Sequence, residues 1–209
     1  MLTLNGNMIS PDGLNGLTPR EIGTALGRVP RFGGHTNRYW TVLHHSFVVE
    51  VLWGMISRGW DRATLDIGYE SPVQMLTSLH ALLHDAHEAV TGDIPTDWKT
   101  EDMRAQQRDL DRRIFRALGL SQPGEEISRI IKEMDARALR AEAYVVGSRG
   151  FRGRQGWATS SVDVGVVRHI AAAFKRPEAT DGPHSLGVEI FTNQVSRRLE
   201  ALKVLKVLL

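Results

Sequence analysis

The sequence contains no cysteine. That excludes a disulfide scaffold, a thiolate zinc finger, an iron–sulfur site and a cysteine nucleophile, and it fits a reducing cytosol. Long apolar runs are missing as well: no stretch approaches the roughly 18 residues that a membrane span needs. The opening MLTLNGNMISPDG has neither a basic start nor a long apolar core, so no signal peptide is expected. Neither a GxxxxGK[ST] phosphate loop nor a GxSxG nucleophile elbow occurs, which argues against ATP-driven work and against that serine chemistry. Alternating strand patterns never extend beyond a few residues, and no internal repeat is evident.

What is present is the balance of a globular domain. Of 209 residues, 42% are apolar and 24% charged, enough for one domain that buries roughly 70% of its unfolded surface without staples. The formal charge is only +2, so a general affinity for nucleic acid is not expected. The charge is uneven, however: residues 1–135 hold 14 Lys and Arg against 18 Asp and Glu, and residues 136–209 hold 12 against 6. A basic tail behind an acidic front half reads as an anion-facing surface, a subunit contact or a plain solvated face.

Helical punctuation dominates. Thr18, Pro19 and Glu21 form a capping box with proline at the first helical position, predicting a helix over 19–26 that stops at Gly27. Residues 27–38 read as a loop. The periodicity of Val42, Val49, Leu52, Trp53 and Ile56 predicts a helix over 39–58. A polar connection, 60–70, leads to Ser71-Pro72 and a helix over 72–91. Further helices are predicted over 98–118, 125–146, 164–174 and 185–208. The Gly- and Arg-rich stretch 147–161 is expected to be an irregular insertion near a subunit edge. The fold class is therefore all-α, with residues 1–18 as an N-terminal segment, 19–146 as the core, and 147–209 as a helical C-terminal extension packed on the same domain.

Histidine gives the sharper signal. Six of the eight histidines lie between His35 and His87, and neutral imidazole beside carboxylates in a chain without thiols points to a divalent-metal site. The segment SLHALLHDAHEAVTGDIPTDWK, residues 78–99, holds His80, His84, Asp85, His87, Glu88 and Asp93. On an α-helix His84, Glu88 and Thr91 line up, with Asp85 about 100° to one side. A metalloprotease HExxH helix is not present, since residue 81 is alanine where that motif needs glutamate. One helix supplies too few ligands. The preceding helix offers His44 and His45, of which one enters the site. The helix after offers Asp135, set among Ile130, Ile131, Met134 and Leu139, either on the rim or pointing inward. Trp40 and Trp98 are expected in the core or the pocket wall, and His80 near the ligands or in the core. His87 is expected at a substrate phosphate or in solvent, and His169 and His184 on the surface.

Taken together, His45, the pair His84-Asp85, and the distal Asp135 resemble the H…HD…D signature of the HD-domain phosphohydrolases. The stretch HDAHEAVTGDIPTDWK is similar to the HDxxExxxGDxPxxxK segment of bacterial 5′-deoxynucleotidases and of phage dATP triphosphohydrolases, and RFGGHTN at 31–37 resembles the phage enzymes too. The resemblance covers about residues 20–146 and implies an HD-domain helical bundle. It implies that His45, His84, Asp85 and Asp135 ligate a divalent metal (Zn²⁺, or Co²⁺, Mn²⁺ or Mg²⁺, one or two ions). Glu88 would be the base or a second-metal contact, and Asp93 would orient water or help hold a second ion. Lys99 and Lys132 would meet a phosphate tail, and Arg31, Phe32 and His35 the rest of the substrate. Phe32 stands where the bacterial nucleotidases have tryptophan.

The expected activity is hydrolysis of a deoxynucleoside triphosphate, dATP first, to deoxynucleoside and triphosphate. The alternatives are a 5′-deoxynucleotidase acting on monophosphates, or a metal- or nucleic-acid-binding HD protein without turnover. A homo-oligomer, a cytoplasmic location (the host cytoplasm if viral) and no membrane partner complete the expectation.

Overall fold

The structure, a computed structural model, describes residue 14 and residues 17–58, 71–147, 161–173 and 184–205. Its helices are α1 (Pro19–Leu26), α2 (Val42–Arg58), α3 (Pro72–Leu83), the single turn α4 (Glu88–Thr91), α5 (Glu101–Leu118), α6 (Glu125–Val146), α7 (Ser161–Ala173) and α8 (Leu186–Val204). Short 3₁₀ turns cover Arg31–Gly34 and Thr96–Trp98. The fold is all-α, and only isolated bridges, Pro30 with Thr41 and Thr36 with Gly147, occur among the described residues. Among these residues no helix is long and apolar enough to cross a membrane. The expected connection 60–70 and the Gly/Arg-rich insertion fall outside the described residues, except for Gly147 and Ser161 at the insertion's ends.

Local chemistry sets the helix ends. The Thr18 side chain accepts from the Glu21 backbone N–H while the Glu21 carboxylate accepts from the Thr18 N–H, and Ser71 and Gln74 repeat this box at the start of α3. Each box satisfies two donors that a helix start leaves open. Gly119, at φ 69°, closes α5 in the left-handed conformation that glycine adopts without a Cβ penalty.

The bundle is built round α2, which packs against α3, α6, α7 and α1. Residues 41–52 are all buried, so this part of α2 is enclosed on every face, and its polar residues His44, His45 and Glu50 need partners inside the bundle. Its far end is less enclosed: Ile56, expected in the core, is 42% exposed. The C-terminal extension shares this core, with α7 on α6 and α2, and α8 on α1 and α3. Helix α1 meets α8 closely because Gly23 has no side chain; a Cβ there would lie 2.8 Å from Phe191 Cδ1.

Glu50 is the charge inside α2. Its Oε1 accepts from Ser78 Oγ of α3 at 2.7 Å and from Arg198 of α8 at 2.8 Å. This buried pair ties three helices together. Removing one partner leaves a dry charge, which typically costs about 3–5 kcal/mol. Arg198→Met is therefore expected to lower unfolding free energy by about that amount in urea titrations. Adding Glu50→Gln to it should recover a large part of the loss; no recovery would show that the pair is not the source.

Helix α7 begins at Ser161 rather than 164, and α8 ends at Val204 rather than 208. Three further helix predictions need correction. Helix α2 begins at Val42, not 39, because Trp40 and Thr41 run extended and bond back to the loop: Arg31 N–H to Trp40 O, and Val42 N–H to Val29 O, each at 3.0 Å. Helix α5 begins at Glu101 because Thr100 caps it, accepting from the Met103 N–H at 3.2 Å. The third correction shapes the site. No single helix runs over 72–91: α3 ends at Leu83, and residues 84–87 form a turn. Through this stretch the bonds run three residues back, Ala86 to Leu83 at 3.0 Å and Glu88 to Asp85 at 2.9 Å.

Candidate metal centre

Three-residue winding changes which side chains share a face. At three residues per turn, positions i and i+3 eclipse, so Glu88 stands over Asp85 rather than beside His84 as α-helical spacing predicts. Asp85, His87 and Glu88 accordingly place ligand-type atoms within 4.8 Å of one another.

His45 from the first turn of α2, His84 and Asp85 from the turn after α3, and Asp135 from the middle of α6 meet at one point. His45 Nε2 lies 3.2 Å from His84 Nε2, 3.0 Å from Asp135 Oδ1 and 3.6 Å from Asp85 Oδ2; His84 Nε2 is 3.2 Å from the same Asp85 oxygen. Donors at about 2.0–2.2 Å from a common ion lie roughly 3.0–3.5 Å from each other, which is the spacing here. The tautomers agree. His45 Nδ1–H donates to Glu142 Oε1 at 2.8 Å and His84 Nδ1–H to the Ala81 carbonyl at 2.8 Å. Both Nε2 atoms are thus left facing each other, an arrangement that needs a positive charge at that point, a proton or a metal cation. The donor set, two imidazoles and two carboxylates, suits a divalent ion.

His44 is built differently. Its Nδ1 accepts from the Thr41 backbone N–H at 3.1 Å, and its ring stacks on buried Trp40 at 4.5 Å between centroids. That lone pair is spent on the loop, and burial holds the imidazole down at about 4. Of the two adjacent histidines only His45 faces the site.

Electrostatics give the same picture. Burial and the Arg31 charge oppose protonation of His45, but Glu142 and Asp135 outweigh them and the net shift is upward. Burial likewise opposes protonation of His84, yet Asp85 and Asp135 raise it to about 9. Burial resists ionisation of Asp85, whose carboxyl nevertheless falls well below the usual range because His84, His45 and Arg31 surround it. In the metal-free chain, protons on the imidazoles supply the positive charge that these carboxylates require.

Arg31 and Glu142 back the cluster. Arg31, delivered inward by the 27–41 loop, lies 3.1 Å from Glu142 Oε2 and 3.8 Å from Asp85 Oδ2. Phe32 beside it takes φ 56°, uncommon for a residue with a side chain, and its ring centroid lies 5.5 Å from the Arg31 guanidinium carbon. Glu142 was not among the expected site residues. A signal existed: it follows Asp135 by seven residues, two helical turns along one face. Asp111, also not anticipated, accepts from His87 Nδ1 at 3.0 Å, which removes His87 from solvent. In a helix as charged as EDMRAQQRDLDRR, nothing marked that aspartate out.

The remaining expected residues divide. Glu88 is buried, with Oε1 3.9 Å from Lys99 Nζ and Oε2 without a hydrogen-bond partner. Burial, with Asp85 and Asp93 nearby, pushes its carboxyl up to about 9. Lys132 and Asp135 line a cleft of about 380 Å³ between α3, α5 and α6. His35 is exposed at the end of its 3₁₀ turn. Trp98, expected in the core or pocket wall, is 78% exposed, because the Thr96–Trp98 turn stands off the bundle. His184 is exposed, 3.5 Å from Arg20, and the His169 side chain falls outside the described residues.

The HD domain model matches residues 28–203, most of the chain, so the chain belongs to the HD domain family. HD domains bind divalent metals and typically act as metal-dependent phosphohydrolases, which defines the general class here. No curated protein matches the chain.

Metal affinity should depend on pH with a definite sign. Below about 9, His84 carries a proton that an incoming ion must displace, so Zn²⁺ affinity is expected to rise with pH, by about tenfold per unit for each proton released. Chelator-buffered calorimetric titrations between pH 6 and 9 check this, and a flat profile contradicts it. Glu142→Gln, which weakens the support of His45, is expected to lower affinity about 10–100-fold.

Proposed function

We propose that the chain is a metal-dependent deoxynucleotide phosphohydrolase whose lead substrate is dATP, cleaved to deoxynucleoside and triphosphate. The observation that carries this reading is the convergence of His45, His84, Asp85 and Asp135 at 3.0–3.6 Å beside a buried, half-unpartnered Glu88. The choice of dATP rests on the likeness of RFGGHTN and HDAHEAVTGDIPTDWK to the phage enzymes.

In this reading the four ligands hold a divalent cation, which when bound polarises a phosphoryl oxygen and lowers the pKa of water towards about 7. Water attacks the α-phosphorus, the bond from phosphorus to the 5′ oxygen breaks, and that oxygen leaves with a proton. Glu88 takes the proton of the attacking water through its free Oε2. Its carboxyl is high only while Asp85 and Asp93 face it uncompensated, and a divalent charge on Asp85 lowers it again. Asp93, after the helix-ending Gly92, helps orient the water. Lys132, one turn before Asp135, and Lys99 neutralise phosphate oxygens, and Arg31, Phe32 and His35 bound the substrate on the loop side.

One observation favours the 5′-deoxynucleotidase alternative: Lys99 already faces Glu88 and is only 14% exposed, which suits a short substrate better than a long tail. The non-catalytic alternative has less support, since none of the four ligand positions is substituted. Homo-oligomerisation through the basic C-terminal half belongs to the same proposal, and light scattering checks it.

Purified protein incubated with each dNTP and dNMP plus Zn²⁺, Co²⁺, Mn²⁺ or Mg²⁺ is expected to release triphosphate from dATP. Phosphate from dAMP with dATP untouched would select the alternative, and no turnover with any of them would overturn the proposal. His84→Ala should abolish both turnover and bound metal. Glu88→Gln should lower kcat by about 10²–10⁴ with the metal retained, whereas loss of a second ion would reassign Glu88 as a ligand. Lys132→Ala should act mainly on KM.

A further inference from the structure

The cleft between α3, α5 and α6 opens from the metal centre itself, since His84 and Asp135, two of the four ligands, line its wall. Its floor is closed by the buried rings of His80 and Phe115, 5.2 Å apart. Three cations line the rest: Lys132 from α6, and Arg108 and Arg112 from α5. The catalytic reading uses only Lys132.

Sequence spacing sets where these charges stand. Arg108 and Arg112 are one turn apart on α5, so they share a helix face. On α6 the cleft is lined by Asp135, by Lys132 one turn before it, and by Ser128 a further turn back. Those seven residues make a wall of roughly 10 Å at the α-helical rise. A single phosphate held at the ligand end fills only the start of that length and meets Lys132. A chain of three phosphates is long enough to run on between the two helices.

The arginines are free to meet such a chain. Arg108 pairs with Glu101 at 2.7 Å and Arg112 with Asp109 at 2.8 Å, but all four side chains are about half exposed or more. Exposed pairs of this kind are weak, and a guanidinium–phosphate contact, often bidentate, displaces them. The cleft's other acid, Asp111, turns both oxygens to His87 Nδ1, at 3.0 and 3.1 Å. A nucleobase in the cleft would leave the three cations unanswered, so the base stays on the loop side with Phe32 and His35.

We infer that this cleft is the subsite for an oligophosphate tail, and that Arg108 and Arg112 are the residues that read its length. The inference deepens the proposed function and rests on it for the remainder of the ligand. It favours the triphosphate over the monophosphate, because a monophosphate leaves both arginines without a partner.

The test reads binding apart from hydrolysis. Inorganic phosphate, pyrophosphate and triphosphate, each as its Co²⁺ complex, are titrated calorimetrically into the full-length, Co²⁺-saturated protein against a protein-free blank. Affinity is expected to rise with the number of phosphates. Arg108→Ala and Arg112→Ala should each lower triphosphate affinity about tenfold and leave phosphate affinity unchanged. Arg116→Ala removes the same charge from the same helix but outside this cleft, and should bind like wild type. Equal affinity for phosphate and triphosphate, triphosphate binding untouched in both cleft variants, or an equal loss in Arg116→Ala overturns the inference. Kinetics separate it from the proposed function. Hydrolysis of dATP with KM unchanged in both cleft variants sinks the subsite and leaves the function standing. Length- and arginine-dependent binding in a protein that hydrolyses no deoxynucleotide supports the subsite while the function fails.

Discussion

The hydrogen bond from His45 Nδ1 to Glu142 is the contact on which the rest of the centre depends. It occupies Nδ1 of a fully buried imidazole, and so decides that Nε2 is the nitrogen that faces His84, ready to carry a proton or to bind a cation. Glu142 could not sit there alone, because a dry carboxylate needs a counter-charge. Arg31 supplies it, and Arg31 reaches the interior only because the 27–41 loop folds back on itself and on the end of α6. Asn37 makes that last link, donating its backbone N–H to the Val146 carbonyl at 2.8 Å. A loop, a central helix and a C-terminal helix are thereby committed to one geometry.

Charge balance continues outward from this point. Arg31 faces Glu142 and Asp85, the two imidazoles face Asp85 and Asp135, and Lys99 faces Glu88. Arg31 and the two imidazoles each have an opposite neighbour and Glu88 is held towards its neutral form, so the group tolerates low dielectric without unfolding the bundle around it. The anionic excess concentrates where four donor atoms meet, which is what a divalent cation requires. Glu50 and Arg198 follow the same rule on the far side of α2, where their work is to join helices.

The turn at 84–87 converts this balance into a site. Continued α-helix would set Glu88 on the face of His84. Tightening to three residues per turn sets Glu88 above Asp85 instead, while the His84 and Asp85 side chains themselves reach one point, 3.2 Å apart. Gly92, at φ 75°, then releases the chain, which no ordinary side chain does easily.

Sequence alone determined the class and most of the elements. Capping boxes at Thr18 and Ser71, apolar periodicity and glycine stops place α1 and α6 at their observed bounds, because these signals are local. Motif order brought His45, His84, Asp85 and Asp135 forward together, since ligand chemistry restricts the residue types. Tertiary structure decided the rest. Whether Asp135 points inward, which of His44 and His45 faces the centre, and that Glu142 stands behind it are outcomes of helix packing across 97 positions of sequence. The exposure of Trp98 and the pairing of His87 with Asp111 follow from the same packing. So does the winding at His84, where three- and four-residue hydrogen bonds differ too little locally for sequence to choose.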